Sequence, residues 1–196
     1  TCGHYFSRHK LDMGALYKGD YLTVTYGGAE GIEEAFKRIS NLPAEKSDNF
    51  HRVERVTQFA DKWFEARKTQ RRLIDIGSGL GIFVSGMKIM GWRCTALDPD
   101  ERFSGHARRN IGVDTLTCNF GREPCEDIGT FQCVSLNKVL EHVEDPVDFL
   151  TKAKKLLASD GFIYIEVPDG EMAIRESEQR EEFFIEHHHV FSSNSL

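Results

Sequence analysis

The stretch Leu73-Ile74-Asp75-Ile76-Gly77-Ser78-Gly79-Leu80-Gly81, followed by Ala96-Leu97-Asp98, constrains the fold of this chain more than any other. An apolar run closes in a glycine-rich turn, a helical pattern follows, and a second short apolar run ends in an acid. That order specifies a strand–turn–helix–strand unit built around a nucleotide or nucleoside. The glycines let a ligand approach the main chain because no Cβ intervenes. Asp98, 21 residues after Gly77, ends the second strand, where it is placed to accept hydrogen bonds from two ribose hydroxyls.

The spacing narrows the ligand. A dinucleotide turn reads G-x-G-x-x-G, whereas Ile82 stands here at the place of that third glycine and the pattern is G-x-G-x-G. Asp75, two residues before the turn, adds negative charge that suits an ammonium or sulfonium centre better than a diphosphate. This segment resembles motif I of the class I S-adenosylmethionine (SAM) methyltransferases. The resemblance implies SAM as cofactor, held by Asp75, Gly77, Ser78, Gly79, Gly81, Asp98 and Pro99. An NAD-type module is the rival reading.

Size and charge agree with such a domain. The chain of 196 residues is 40% hydrophobic and 29% charged, in the range of a globular domain with a substantial core. A net charge of −6 argues against a nucleic-acid surface, and Arg67-Lys68 and Arg71-Arg72 read as a solvated loop before a strand. No run reaches the roughly 20 apolar residues that span a bilayer. The partner expected is a small molecule, not nucleic acid or membrane. Five cysteines with no close pair point to a reducing cytoplasm, with Cys94, Cys118 and Cys133 as small hydrophobes of the sheet.

Apolar periodicity places a helix at 31–40 and an amphipathic helix at 47–68, capped by Ser47 or Asp48. Residues 1–46 read as an N-terminal extension, Thr1-Cys2-Gly3-His4 being like the second half of a zinc knuckle. Residues 47–196 read as the cofactor-binding domain, with its first helix as a lid beside Tyr17, Tyr21 and Tyr26. After Arg72 strands are expected at 72–77, 93–98, 113–118, 131–136 and 161–167. Helices are expected at 80–90, 100–110, 145–158 and 171–185. Alternating β/α order gives a Rossmann-like doubly wound parallel sheet. Compared with the full methyltransferase sheet, the resemblance implies that this one stops before its last strands.

Ligands of open α/β sheets sit at the carboxyl ends of the strands. After the third strand, Asn119 offers an amide for the adenine amine, and Phe120 offers a backbone N–H and a stacking face. A plain turn beside a core Phe is the alternative. After the fourth, Val139-Leu140-Glu141-His142-Val143-Glu144-Asp145-Pro146 resembles a signature of methyltransferases of ubiquinone and sugar pathways. That likeness puts the Asn137 backbone near the methionine part of the cofactor. His142 reads as a structural histidine of this turn.

Glu186-His187-His188-His189-Val190-Phe191-Ser192 resembles the E-H-x-x-x-F-S segment of the sugar C-methyltransferase-like group, which lies above the methyl acceptor. His187, oriented by Glu186, is the candidate general base, since imidazole titrates near neutral pH. A structural or substrate-binding role is the alternative. His187 and His189 share a face of an extended segment but lack a third ligand, so no metal is expected. These features imply methyl transfer to a small polar metabolite such as a nucleotide-linked sugar. O-methylation of a quinone or phenolic precursor, and a non-catalytic SAM-binding protein, are the alternatives.

Overall fold

The computed structural model describes residues 2–7, 28–65, 71–123, 125, 128–176, 180, 183 and 187–196. Tyr17, Tyr21, Tyr26 and Glu186 lie outside them. The elements are β1 (Tyr5–Phe6), α1 (Ala29–Ser40), α2 (Asp48–Trp63), β2 (Arg72–Ile76), α3 (Ile82–Ile89), β3 (Arg93–Asp98), α4 (Glu101–His106), β4 (Asp114–Thr117), β5 (Phe131–Asn137), α5 (Pro146–Lys154), β6 (Leu157–Glu166), α6 (Gly170–Glu176) and β7 (His189–Val190). Five of the strands form a parallel sheet in the order β4-β3-β2-β5-β6. The chain builds outward from β2 through β3 to β4, then restarts on the other side with β5. The switch between β2 and β5 is where such a sheet opens a crevice for a ligand.

Both faces of the sheet are covered. On one face Leu73, Cys94 and Cys133 pack beneath Val53, Val56, Ala60 and Phe64 of the α2 segment and Phe83, Val84 and Met87 of α3. On the other, Ile74, Ile76, Leu97, Val134 and Leu136 meet Phe149 and Ala153 of α5. The continuous apolar character of β2 follows from this two-sided burial, and each fully buried aliphatic side chain contributes about 2 kcal/mol. One residue interrupts the pattern: Asp75, on the Leu73 face, is only 2% exposed.

Local sequence explains the element ends. Ser47 Oγ accepts from the Phe50 N–H at 3.1 Å, the cap expected for α2. Asp145 caps α5 through the Asp148 N–H at 2.9 Å, with Pro146 in the first turn. Strand β6 begins at Leu157 rather than at residue 161, because Gly161 disguises its first half. A Cβ there would lie 2.8 Å from the Phe131 carbonyl oxygen, so glycine permits the close pairing of β5 with β6. Helix α4 loosens into a π-helical turn, Ala107–Ile111, and stops at Gly112 with φ 69°. Helix α6 covers Gly170–Glu176, and most of the remainder expected up to 185 lies outside the described residues.

The cysteine reading needs correction. Cys118 and Cys125, seven apart in sequence, form a disulfide. Cys118 lies just past β4, and the turn at Asn119–Gly121 folds the chain back, so spacing alone concealed the pair. Cys94 and Cys133 are buried in strands as expected, while Cys2 is exposed. Alkylation of native protein without reductant should therefore label Cys2 alone. Reductant should add Cys118 and Cys125, and Cys94 and Cys133 should need denaturant, as peptide mass spectrometry would show.

Candidate active site

The glycine turn is held from below by main chain. Gly77 and Ser78 both donate to the Leu97 carbonyl, at 2.8 and 3.0 Å, which ties the end of β2 to that of β3. Gly77 has φ 72°, and a Cβ on it would meet Val139 Cγ2 at 2.6 Å. Gly79 has φ 50° and nothing within 4 Å of the Cβ position. One glycine is thus demanded by packing, and the other leaves bare main chain facing open space.

Asp98 organises this turn before any ligand does. Its Oδ2 accepts from the Gly79 N–H at 2.8 Å and its Oδ1 from the Asp100 N–H at 2.9 Å. Pro99 bends the chain between these acids, and Asp100, not Asp98, caps α4. Burial raises Asp98 to about 6. Each carboxylate oxygen keeps a further lone pair with which a ribose hydroxyl can bond.

Asp75 is the most constrained group. Its Oδ1 accepts from Ser135 Oγ at 2.7 Å and from Asn137 Nδ2 at 2.8 Å. Desolvation pushes it up to about 7, against the opposing effect of these donors and of Arg52. Arg52, on α2, makes a two-pronged ion pair with Glu166 at the end of β6, one contact being Nε to Oε2 at 2.7 Å. Tyr164 also donates to Glu166, at 2.8 Å. Burial works to raise Glu166, yet these donors hold it below its ordinary value. Sequence reasoning missed Ser135 as a donor, although a serine inside the apolar run of β5 was a visible signal. Nothing local could pair Arg52 with a residue 114 positions away.

Past β4, Phe120 is corrected: its ring is buried edge-on against Phe149, centroids 5.1 Å apart, so it packs in the core rather than on a base. What it retains is the backbone N–H. Asn119 sits half-buried in the turn closed by the disulfide, its N–H donating to Glu123 Oε2 at 3.2 Å. Asn137 takes part through its side chain on Asp75, not only through its backbone.

The histidine segment splits in two directions. The His188 N–H donates to the Glu141 carbonyl at 2.8 Å, which docks the segment on the 3-10 turn after β5. His187 thereby lies against His142, with ring centroids 4.7 Å apart. His189 points the other way: its Nε2 is 3.3 Å from the Glu144 carbonyl and its Nδ1 3.0 Å from His4 Nε2. A carbonyl can only accept, so His189 Nε2 carries the proton and Nδ1 takes one from His4. Residues 2–7 clasp this segment: β1 pairs with β7, and Ser192 Oγ donates to the Cys2 carbonyl at 2.5 Å. The shared face expected of His187 and His189 is therefore replaced by two separate sets of partners. Glu141, read in sequence only as part of the signature after the fourth strand, is 1% exposed and raised to about 7 by burial.

The residues fit an adenosyl-amino-acid ligand. Ser78 Oγ and Asn137 Oδ1 are buried without a hydrogen-bond partner, at the two strand ends that flank the crevice. With bare main chain at Gly79 and two buried acids, they provide unfilled donor and acceptor positions for a ribosyl and an amino group.

Comparisons agree with this geometry. The profile described as a methyltransferase domain matches residues 46–196. A ubiquinone biosynthesis O-methyltransferase of Caulobacter sp. (strain K31) is 32% identical over 99 residues, 48% of this chain and 39% of that protein. The C-methyltransferase NovU of Streptomyces niveus is 29% identical over 128 residues, 63% of this chain and 30% of that one. The chain thus spans well under half of either relative. In fold it resembles SAM-bound CalS10, an amino pentose methyltransferase from Micromonospora echinaspora, with TM-score 0.52 and 19% identity over 70% of this chain and 56% of that one. A β2 turn of G-x-G-x-G form, an acid ending β3 and a family match over residues 46–196 leave no room for the dinucleotide alternative: the chain belongs to the methyltransferase domain family, whose cofactor is S-adenosylmethionine.

Proposed function

We propose that this chain transfers the methyl group of SAM to a small polar metabolite, with a nucleotide-linked sugar as the preferred class of acceptor. When bound, SAM supplies a methyl carbon made electrophilic by a positive sulfur. Asp75, fixed by Ser135 and Asn137, contributes negative charge near that sulfur and the amino group. Asp98 and the glycine turn hold the ribose. His187 meets the acceptor from above the end of β5 and removes its proton as the new bond forms, with Glu186 beside it in sequence.

The observation that carries the reading is the hydrogen bond from the His188 N–H to Glu141. It brings the histidine segment to the turn that follows β5 and Asn137, which supports a base and a cofactor held at one crevice rim. Aligning acceptor and methyl carbon supplies several kcal/mol of such a barrier, and base assistance adds roughly 10² to 10⁴-fold. Sugar substrates are favoured by the E-H-x-x-x-F-S likeness and by the amino pentose methyltransferase CalS10 among the proteins of similar fold. No helix among the described residues is long and apolar enough to cross a membrane.

Competitive calorimetry with SAM, S-adenosylhomocysteine and NAD tests the cofactor. Binding of the first two is expected, and binding of NAD alone would overturn the reading. A mass-shift screen with labelled SAM then tests the acceptor. Labelled nucleotide sugars support the proposal, labelled phenols would replace its substrate class, and no product with any acceptor would reduce the chain to a SAM-binding protein.

A further inference from the structure

The cluster beneath the histidine segment has a chemistry that a proton relay does not exhaust. Glu141, His142 and His187 each present one ligand atom, and the three atoms all lie within 4.8 Å of one another. The three come from two separate stretches of chain, and the His188 N–H···Glu141 bond holds those stretches together. Glu141 is almost fully buried, and its Oε2 has no hydrogen-bond partner. A buried carboxylate oxygen without a donor costs free energy, so it marks a place where a positive partner is missing. Lys138 bears on Glu141 only through space, and Glu166 adds repulsion.

We propose that Glu141, His142 and His187 form a binding site for one divalent first-row transition metal ion. Two imidazole nitrogens and one carboxylate oxygen suit zinc, iron, cobalt or nickel, while magnesium and calcium favour an all-oxygen shell. Three protein ligands leave coordination positions open toward the crevice, as in catalytic rather than closed structural sites. The ion's place in the reaction rests on the methyl-transfer reading; its binding does not. There it would orient an acceptor hydroxyl and lower its pKa, so that the O–H proton leaves to water as the new carbon–oxygen bond forms and the carbon–sulfur bond breaks. His187 then holds the ion instead of taking the proton itself.

The test is a cobalt(II) titration of the chelator-treated chain, followed by visible absorption and calorimetry, with zinc as competitor. One ion per chain is expected, with affinity at least about tenfold weaker in Glu141→Gln and in His187→Ala. S-adenosylhomocysteine binding should be unchanged in both. Should Glu141→Gln fail to fold, His187→Ala, outside the sheet and helices, carries the comparison. No saturable uptake, or uptake by the folded variants as tight as by the parent chain, would overturn the site. Neither result touches the cofactor, which the S-adenosylhomocysteine titration measures separately.

Discussion

Replacing Asp75 with asparagine should make the ligand-free chain more stable above pH 7 and at the same time weaken SAM binding. The sign follows from linkage. Burial raises Asp75 to about 7 in the folded chain, against about 4 for an unfolded Asp. The folded state therefore binds the extra proton between these values, and stability falls as pH rises through that window. Above pH 7 the ionised group is held folded at a cost, which the Asp75→Asn variant removes while keeping an oxygen to accept from Ser135 and Asn137. A gain of about 1–4 kcal/mol is expected, read as a higher melting temperature at pH 8. The cofactor carries the opposite preference, since its cationic end binds the ionised carboxylate. Affinity of the parent chain should drop by up to about tenfold per pH unit below 7, and Asp75→Asn should be weaker and lack the part of that dependence that residue 75 supplies. A second slope, from Asp98 near 6, should survive the substitution. Calorimetry from about pH 5.5 to 8.5 checks both. SAM binding by the Asp75→Asn variant as tight as by the parent chain would separate this residue from the cofactor.

His187→Ala should lower turnover by about 10² to 10⁴-fold with SAM affinity near that of the parent chain. The side chain lies against His142, on the turn after β5. The loss should appear in kcat rather than in cofactor binding. His189→Ala provides the contrast: it breaks the chain of bonds from His4 to Glu144, so it should loosen β1 from β7 and lower the melting temperature. Equal turnover of His187→Ala and parent would remove His187 from the reaction, whether as base or as ligand.

The sheet was legible because burial on both faces writes itself as short apolar runs, and a glycine turn can be read without knowing its neighbours. Asp75 and Asp98 were legible for the same reason, each standing beside a strand end. Three things were not. Phe120 reads alike whether it stacks on a base or packs against Phe149, because one aromatic residue serves both and only the turn's direction decides. Cys118 and Cys125 looked unpaired because a turn, not a repeat, brings them together. Glu141, Ser135 and Arg52 gain their meaning from partners on other strands and helices. A carboxylate's burial is a property of what packs above it, and a local pattern does not contain that information.

The clasp between residues 2–7 and the histidine segment joins stretches far apart in sequence, as in the His4–His189 bond across 185 positions. Closing so long a loop is entropically demanding and contributes to slow folding. The adenosine crevice, made from residues 72–137, needs no such closure. The histidine segment is thus held by two closures of unequal length, 47 positions from His188 to Glu141 and 185 from His189 to His4, and the shorter one seats His187.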